Sequence, residues 1–288
     1  MSRRRRLDAE LVRRGLVASR TEAQQAVDAG LVTVDGAPAL KSARQVAPDQ
    51  AVVLAAPPRA HVSRGGDKLA HALEAFDLDV TGRFCLDAGA STGGFTDCLL
   101  QHGARQVVAV DVGYGQLHDR LRTDERVVVL ERTNIRDLVA EQLPGPAPGL
   151  VVADLSFISL AGVLPVLRDL VAPDAPAVVL VKPQFEAGRE QVGRGGVVRD
   201  PEVWRACLDR VADAAAGVGW PVRDATASPL LGPAGNVEFL LHLVTGEQDE
   251  ASTRCLDEAI EQGRARAAGG RGPASAAAEE PADEGGAP

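Results

Sequence analysis

The chain is poor in the features that would place it in a membrane, in an oxidising compartment or around a metal. No apolar run approaches the about 18 residues that a membrane-spanning helix needs, and MSRRRRLDAE at the N-terminus carries charge with no apolar segment behind it, so neither a span nor a secretory leader is expected. The expected location is cytoplasmic, with no membrane partner. Cys85, Cys98, Cys207 and Cys255 lie far apart and form no CxxC pair, which argues for reduced thiols and against a disulfide framework or a zinc site. His61, His71, His102, His118 and His242 show no ligand spacing, so no metal is expected. The stretch GRARAAGGRGPASAAAEEPADEGGAP has almost no large apolar side chain to offset its ordering entropy, and residues 246–288 are expected to form a disordered tail.

Charge is present but uneven. The chain carries a net charge of -9 over 288 residues, yet residues 1–60 hold nine Arg and one Lys against six acidic residues. Binding responds to local potential, so a basic front end on an acidic chain points to an anionic partner met by that end. Within it, LDAELVRRGL places Leu7, Leu11 and Val12 on one helical face. Ser19 with Glu22 fits a capping box for a second helix, and Gly30 stands where a helix end favours a left-handed residue. LVTVDGAPAL and QAVVLAA then read as strands around a turn at Asp35-Gly36. Two short helices on a small sheet, with arginines and Lys41 available for the surface, make a phosphate-binding unit.

From about residue 65 to 245 the pattern changes. Apolar runs FCLDAGA, QVVAVDV, VVVLERT, GLVVADLSF, AVVLVKPQF and VEFLLHLV alternate with helix-length stretches. Continuous Val-rich strands imply a sheet buried on both faces, hence a doubly wound α/β domain with ligands at the carboxyl ends of its strands. The turn GASTGG after the first strand lacks the second glycine of the dinucleotide pattern, since Ser91 stands there. A nucleoside cofactor without a pyrophosphate makes smaller demands, and S-adenosylmethionine is the common one. Asp111 closes the next strand, where a carboxylate can accept from ribose hydroxyls, and Asp87 can hold the amino group of the methionine moiety. Asn134, Asp154 and Phe157 follow at later strand ends, near the adenine and the sulfonium. Ala90, Ser91, Gly93 and Phe95 of the turn, with Gly89 and Val112, complete the expected cofactor set.

The first unit resembles the S4 RNA-binding domain. RLDAELVRRGL, SRGGDKL, LDAGASTGGFTDCLL, VDVGYGQL, ADLSFISL, LVKPQFE and GNVEFLL together resemble the TlyA family, which joins an S4 domain to an FtsJ-like methyltransferase domain. The resemblance covers residues 3 to about 245, and members also carry the name hemolysin. It implies a Rossmann-like class I methyltransferase domain at 65–245, preceded by a small α+β S4 domain at 1–60 and a linker at 61–64. It further implies methyl transfer from S-adenosylmethionine to the ribose 2'-hydroxyl of cytidine in 16S rRNA, 23S rRNA or both, within the ribosomal subunits. Arg4, Arg6, Arg20 and Lys41 are the expected RNA contacts. FtsJ-like enzymes carry a Lys-Asp-Lys-Glu tetrad, which the resemblance assigns to Lys68, Asp154, Lys182 and Glu238. Such a cluster suits the reaction, because a ribose hydroxyl attacks a sulfonium methyl poorly unless its oxygen is held in line and its proton is leaving. His61 stands where the family often has Trp. The glycine-rich GREQVGRGG reads equally as a lid offering Arg189 and Arg194 to RNA phosphates and as an ordinary loop. Two other readings compete: a methyltransferase acting on a base amino group, against which DLSF departs from the usual pattern, and a non-enzymatic S4-type ribosome-assembly protein.

Overall fold

The computed structural model describes residues 4–17, 19–28, 30–55, 60–247 and 250–269, in two compact units, Met1–Arg59 and Ala60–Pro288. In the first, a two-residue strand β1 (Arg5–Arg6) runs into α1 (Leu7–Arg13), followed by α2 (Arg20–Asp28), β2 (Val32–Val34), β3 (Ala37–Pro38), β4 (Gln45–Val46) and β5 (Val52–Leu54). The expected helices and strands are therefore present. Leu7, Leu11, Ala23, Val27, Val32 and Val34 bury the inner faces against one another. Gly30 ends α2 with φ +71, donating to the Val27 carbonyl, as a helix terminus of this kind requires. The expected capping box depends on the side chain of Glu22, which lies outside the described residues.

The second unit opens with α3 (Arg64–Ala75) and continues β6 (Phe84–Ala88), α4 (Gly94–Gln101), β7 (Gln106–Val110), α5 (Asp119–Arg122) and β8 (Val127–Leu130). Then come β9 (Leu150–Ala153), α6 (Leu164–Asp169), β10 (Ala177–Val181), α7 (Pro183–Glu186), α8 (Pro201–Gly217), β11 (Val222–Ala227), β12 (Phe239–Leu243) and α9 (Glu250–Gly269). Their strands form one sheet in the order β11-β12-β10-β9-β6-β7-β8, parallel from β10 to β8 and antiparallel at β12 and β11. Alternation along each strand sorts the core into two layers. Leu86, Val151, Val179 and Phe239 pack towards α8 with Trp204, and Cys85, Val152, Leu180 and Leu240 pack towards α3 and α4 with Leu69 and Leu99. Each such fully buried large side chain contributes about 1.5–3 kcal/mol, so the two layers hold the strand ends at fixed positions.

One strand went unread and two expectations need correction. The strand β11 has the sequence VRDATA, whose Arg223 and Asp224 hid it: as the sheet's outer strand it carries polar side chains and a register shift between Val222 and Asp224. Residues 250–269 of the expected disordered tail form a helix. Cys255, Leu256, Ala259 and Ile260 recur at helical spacing and bury against the β11–β12 face, while Gln262 Oε1 accepts from Thr226 Oγ1 at 2.8 Å and from Ala227 N at 2.9 Å. The rest of that tail, 270–288, lies outside the described residues. Finally, residues 61–64 are packed structure. His61 is 7% exposed with Nδ1 2.8 Å from Asp67 Oδ1, Val62 N donates to Asp97 Oδ2 at 2.8 Å, and Arg64 already belongs to α3.

Candidate active site

The strand carboxyl ends of β6, β7, β9 and β10 meet along one edge of the sheet. β6 leads into the turn 89–93, where Gly89 adopts φ +87 and a Cβ would lie 2.6 Å from the Asp154 carbonyl oxygen. Glycine at 89 thus lets this turn lie against the end of β9. Asp111, just beyond β7, ties the turn down: Oδ2 accepts from Ser91 N at 2.8 Å and Oδ1 from Gly113 N at 2.7 Å. Asn134 caps the following 3₁₀ turn, accepting from Arg136 N at 3.1 Å.

A cleft of about 430 Å³ opens here, lined by Gly89, Ser91, Asp111, Val112, Asn134, Asp154 and Phe157 among the expected residues. The volume falls within the range of small-molecule sites. Gln116, Thr133, Ile135, Leu155, Ser156 and Ile158 also line it; their apolar or uncharged side chains gave no separate signal in the sequence. Four expected residues do not line it. Ala90 is 6% exposed and its amide is taken up by the Val110 carbonyl. A Cβ at Gly93 would meet Leu117 and Leu121, and Phe95 is buried in the α3–α4 layer beside Gly65, so both serve packing. Asp87 is fully buried beneath the turn, where Oδ2 accepts from Thr96 Oγ1 at 2.6 Å and Oδ1 has no hydrogen-bond partner.

Burial is the main reason that the Asp87 carboxyl is pushed up to about 7; the Thr96 hydrogen bond opposes the shift and the nearby charge of Asp154 adds to it. Because the folded state holds a proton that the unfolded chain releases near its ordinary value of 3.8, this group's stability contribution is full below that value. It is lost progressively as pH rises to about 7 and is flat beyond. Asp87→Asn is therefore expected to be more stable than the parent chain by a gap that widens between about pH 4 and 7, to at most a few kcal/mol. Thermal melts across that window check it; a gap independent of pH would contradict the assignment.

The four tetrad residues form two ion pairs. Lys182 Nζ lies 2.5 Å from Asp154 Oδ1, an ion pair without hydrogen-bond alignment, and donates an aligned bond to Ser156 Oγ at 2.8 Å. Lys68 Nζ donates to Glu238 Oε2 at 2.5 Å. The antiparallel register that pairs Val181 with Phe239 sets Lys182 and Glu238 across from each other one position on, both on the α3 side of the sheet. Lys68 reaches them because α3 and α4 cross closely: a Cβ at Gly66 would lie 2.9 Å from the Gly94 carbonyl oxygen. Lys68, Lys182 and Glu238 are 7%, 9% and 1% exposed, so charges of both signs are needed to make the cluster tolerable. Ser156, two residues past Asp154, went unassigned in the sequence because only the fold shows that Lys182 reaches it.

Phe157, by contrast, is 86% exposed with φ +65, its ring 5.0 Å from that of Phe185. It stands at the cleft mouth, an apolar ring facing outward from a strained backbone position. Arg189 and Arg194 are exposed on two 3₁₀ turns, and Asn236 staples the end of that segment, donating to the Gly196 carbonyl and accepting from Val198 N, both at 2.9 Å. In the first unit Arg4, Arg6, Arg20 and Lys41 are exposed, whereas Arg14, one of the arginines read as available for the surface, is spent on Glu10 and on the Gln50 and Pro48 carbonyls.

Comparison with known proteins agrees with this geometry. Residues 61–245 match the FtsJ-like methyltransferases and residues 5–52 match the S4 domain. The chain is 55% identical over 261 residues to the 16S/23S rRNA (cytidine-2'-O)-methyltransferase TlyA of Mycobacterium tuberculosis, covering 90% of this chain and 97% of that one. It is 47% identical over 242 residues to the provisionally named rRNA methyltransferase YqxC of Bacillus subtilis, covering 84% and 86%. The solved structure of a provisionally named hemolysin from Streptococcus thermophilus superimposes with a TM-score of 0.72 at 37% identity, covering 94% of this chain and 99% of that one. The chain belongs to the TlyA family, as a methyltransferase whose FtsJ-like domain follows an N-terminal S4 domain.

Proposed function

We propose that this chain transfers a methyl group from S-adenosylmethionine to the 2'-hydroxyl of cytidine in 16S and 23S rRNA. The observation that carries the reading is Lys182, nearly buried at a strand end beside the cleft and fixed by Asp154 and Ser156. Two carboxylates support the cofactor reading: Asp87 Oδ1, buried beneath the cleft's glycine turn rather than lining the cleft, is an acceptor lacking a partner that a water reaching down from the ligand's ammonium group could satisfy. Asp111 Oδ1 and Oδ2 each accept one amide and keep a second lone pair for ribose hydroxyls. When bound, S-adenosylmethionine supplies an electrophilic methyl on a sulfonium.

The chain's own residues would do the rest. Lys182 Nζ would hold the 2'-oxygen in line and, once its own extra proton has passed to solvent, receive the hydroxyl proton as the methyl moves, while Asp154 and Ser156 fix the direction of Nζ. Lys68 and Glu238 would form the adjoining wall, neutral as a pair. Phe157 at the mouth would offer a stacking face for a nucleobase, and the S4 domain would grip the RNA backbone.

The test is transfer of labelled methyl from S-adenosylmethionine to separated 30S and 50S subunits that lack the modification, followed by mapping of the labelled nucleotide. Label on a cytidine ribose is expected in both. Label on a base would select the amino-methyltransferase instead, and no transfer to either subunit would reject the reading.

A further inference from the structure

Within the first unit, three chain segments converge on Asp8. Asp8, at the start of α1, has a side chain 8% exposed. It accepts from Arg6 through Nε at 3.2 Å and Nη2 at 2.8 Å, from Arg20 Nη2 at 3.1 Å, and from the Ala9 amide at 2.7 Å. Its own amide donates to the Ser42 carbonyl at 3.0 Å, which stitches the turn carrying Lys41 to the same place. Ser42 Oγ in turn donates to Gln24 Oε1 on α2. Arg6 precedes α1 and Arg20 opens α2, so the carboxylate joins two guanidinium groups from separate elements.

Both arginines remain outward-facing, with side chains 46% and 62% exposed. Each guanidinium has five N–H donors, of which Asp8 occupies two on Arg6 and one on Arg20, leaving donors on both for a ligand. Two cations around one anion leave a site of net charge +1. The Asp8 carboxyl is held down to about 2, chiefly by the Arg6 hydrogen bond, so it stays ionised wherever RNA is handled. Glu10 also joins two arginines, but only Arg13 stays outward-facing, with a side chain 50% exposed; Arg14 is 21% exposed and committed to backbone carbonyls, so that carboxylate presents one open guanidinium and not two.

We propose that Asp8 is a positioning residue, presenting Arg6 and Arg20 as one preformed double-guanidinium seat for a backbone phosphate of structured RNA. This rests on the reading of the chain as an rRNA methyltransferase. Fixing both long side chains before the encounter removes much of the ordering that binding would otherwise demand, and two planar donors suit the two non-bridging oxygens of a phosphodiester.

The sign of one effect tests it. By charge alone, Asp8→Asn should tighten RNA binding, since it removes an anion from a basic surface. The seat predicts the reverse: affinity of the full chain for unmodified 50S subunits weaker by about 3- to 10-fold, with the effect falling on KM for RNA rather than on kcat. Unchanged or tighter binding overturns the proposal. Should Asp8→Asn impair folding, judged by thermal melting, a double-mutant cycle of Arg6→Ala and Arg20→Ala decides, because both side chains are exposed. Coupled losses are expected, and additive losses overturn the seat. Failure of the parent chain to bind or methylate subunits would instead reject the functional reading on which the seat depends.

Discussion

Replacing Lys182 with alanine is expected to lower single-turnover methylation by about 10²- to 10⁴-fold while cofactor and RNA affinities stay near those of the parent chain. The cofactor cleft is lined by the ends of β6, β7 and β9 and the RNA grip is assigned to the S4 domain, so neither binding function is built on Lys182. Lys182→Arg should fail to rescue, because a guanidinium keeps its proton and its planar fork does not fit where Nζ meets Asp154 and Ser156. Ser156→Ala should show a smaller loss, since it removes one of the two contacts that direct Nζ while leaving the Asp154 ion pair. Single-turnover rates beside equilibrium binding separate the two steps. A Lys182→Ala chain methylating at the parent rate would show that the tetrad does no chemistry here.

How much of this was legible before the structure depended on the type of signal. Of the strands that form the site's edge and its flank, β7 to β10 announced themselves as Val-rich runs and β6 as the apolar run FCLDA; a strand buried on both faces has few polar choices, and only β8, at the sheet's edge, is half-buried. The glycine turn and Asp111 followed from position at strand ends. The tetrad's members were named by family resemblance, but their partners were not legible. Glu238 meets Lys68 because β12 returns antiparallel beside β10, and that return depends on the β11–β12 hairpin, half of which reads as polar sequence. Gly93 and Phe95 misled for a related reason: beside a ligand site the turn also needs a small residue simply to let α5 pack, and the first turn of α4 buries its ring against α3. The helix α9 was lost because its Ala, Glu and Arg content resembles the stretch that follows it, although Cys255, Leu256, Ala259 and Ile260 keep helical spacing.

The second large effect concerns the Lys68–Glu238 pair, whose burial makes the two residues interdependent. The Lys68 side chain is 9% exposed and that of Glu238 1% exposed, with the charged atoms 2.5 Å apart. Lys68→Met alone would leave a carboxylate sealed beneath α3, and Glu238→Gln alone would leave an ammonium without its counter-charge. Removing one member of a buried pair typically costs about 3–5 kcal/mol, whereas replacing both can be nearly neutral. For a unit of this size that corresponds to single variants melting roughly 6–20 °C lower. The double variant Lys68→Met/Glu238→Gln is expected to regain most of that loss in melting temperature. It should not regain methylation, because the wall beside Lys182 would then lack both charges. Thermal melts combined with single-turnover rates on all four chains check this. If the double variant melted no higher than either single one, the two side chains would not act as a pair; if it recovered methylation together with stability, the pair would be scaffolding and Lys182 with Asp154 would account for the chemistry alone.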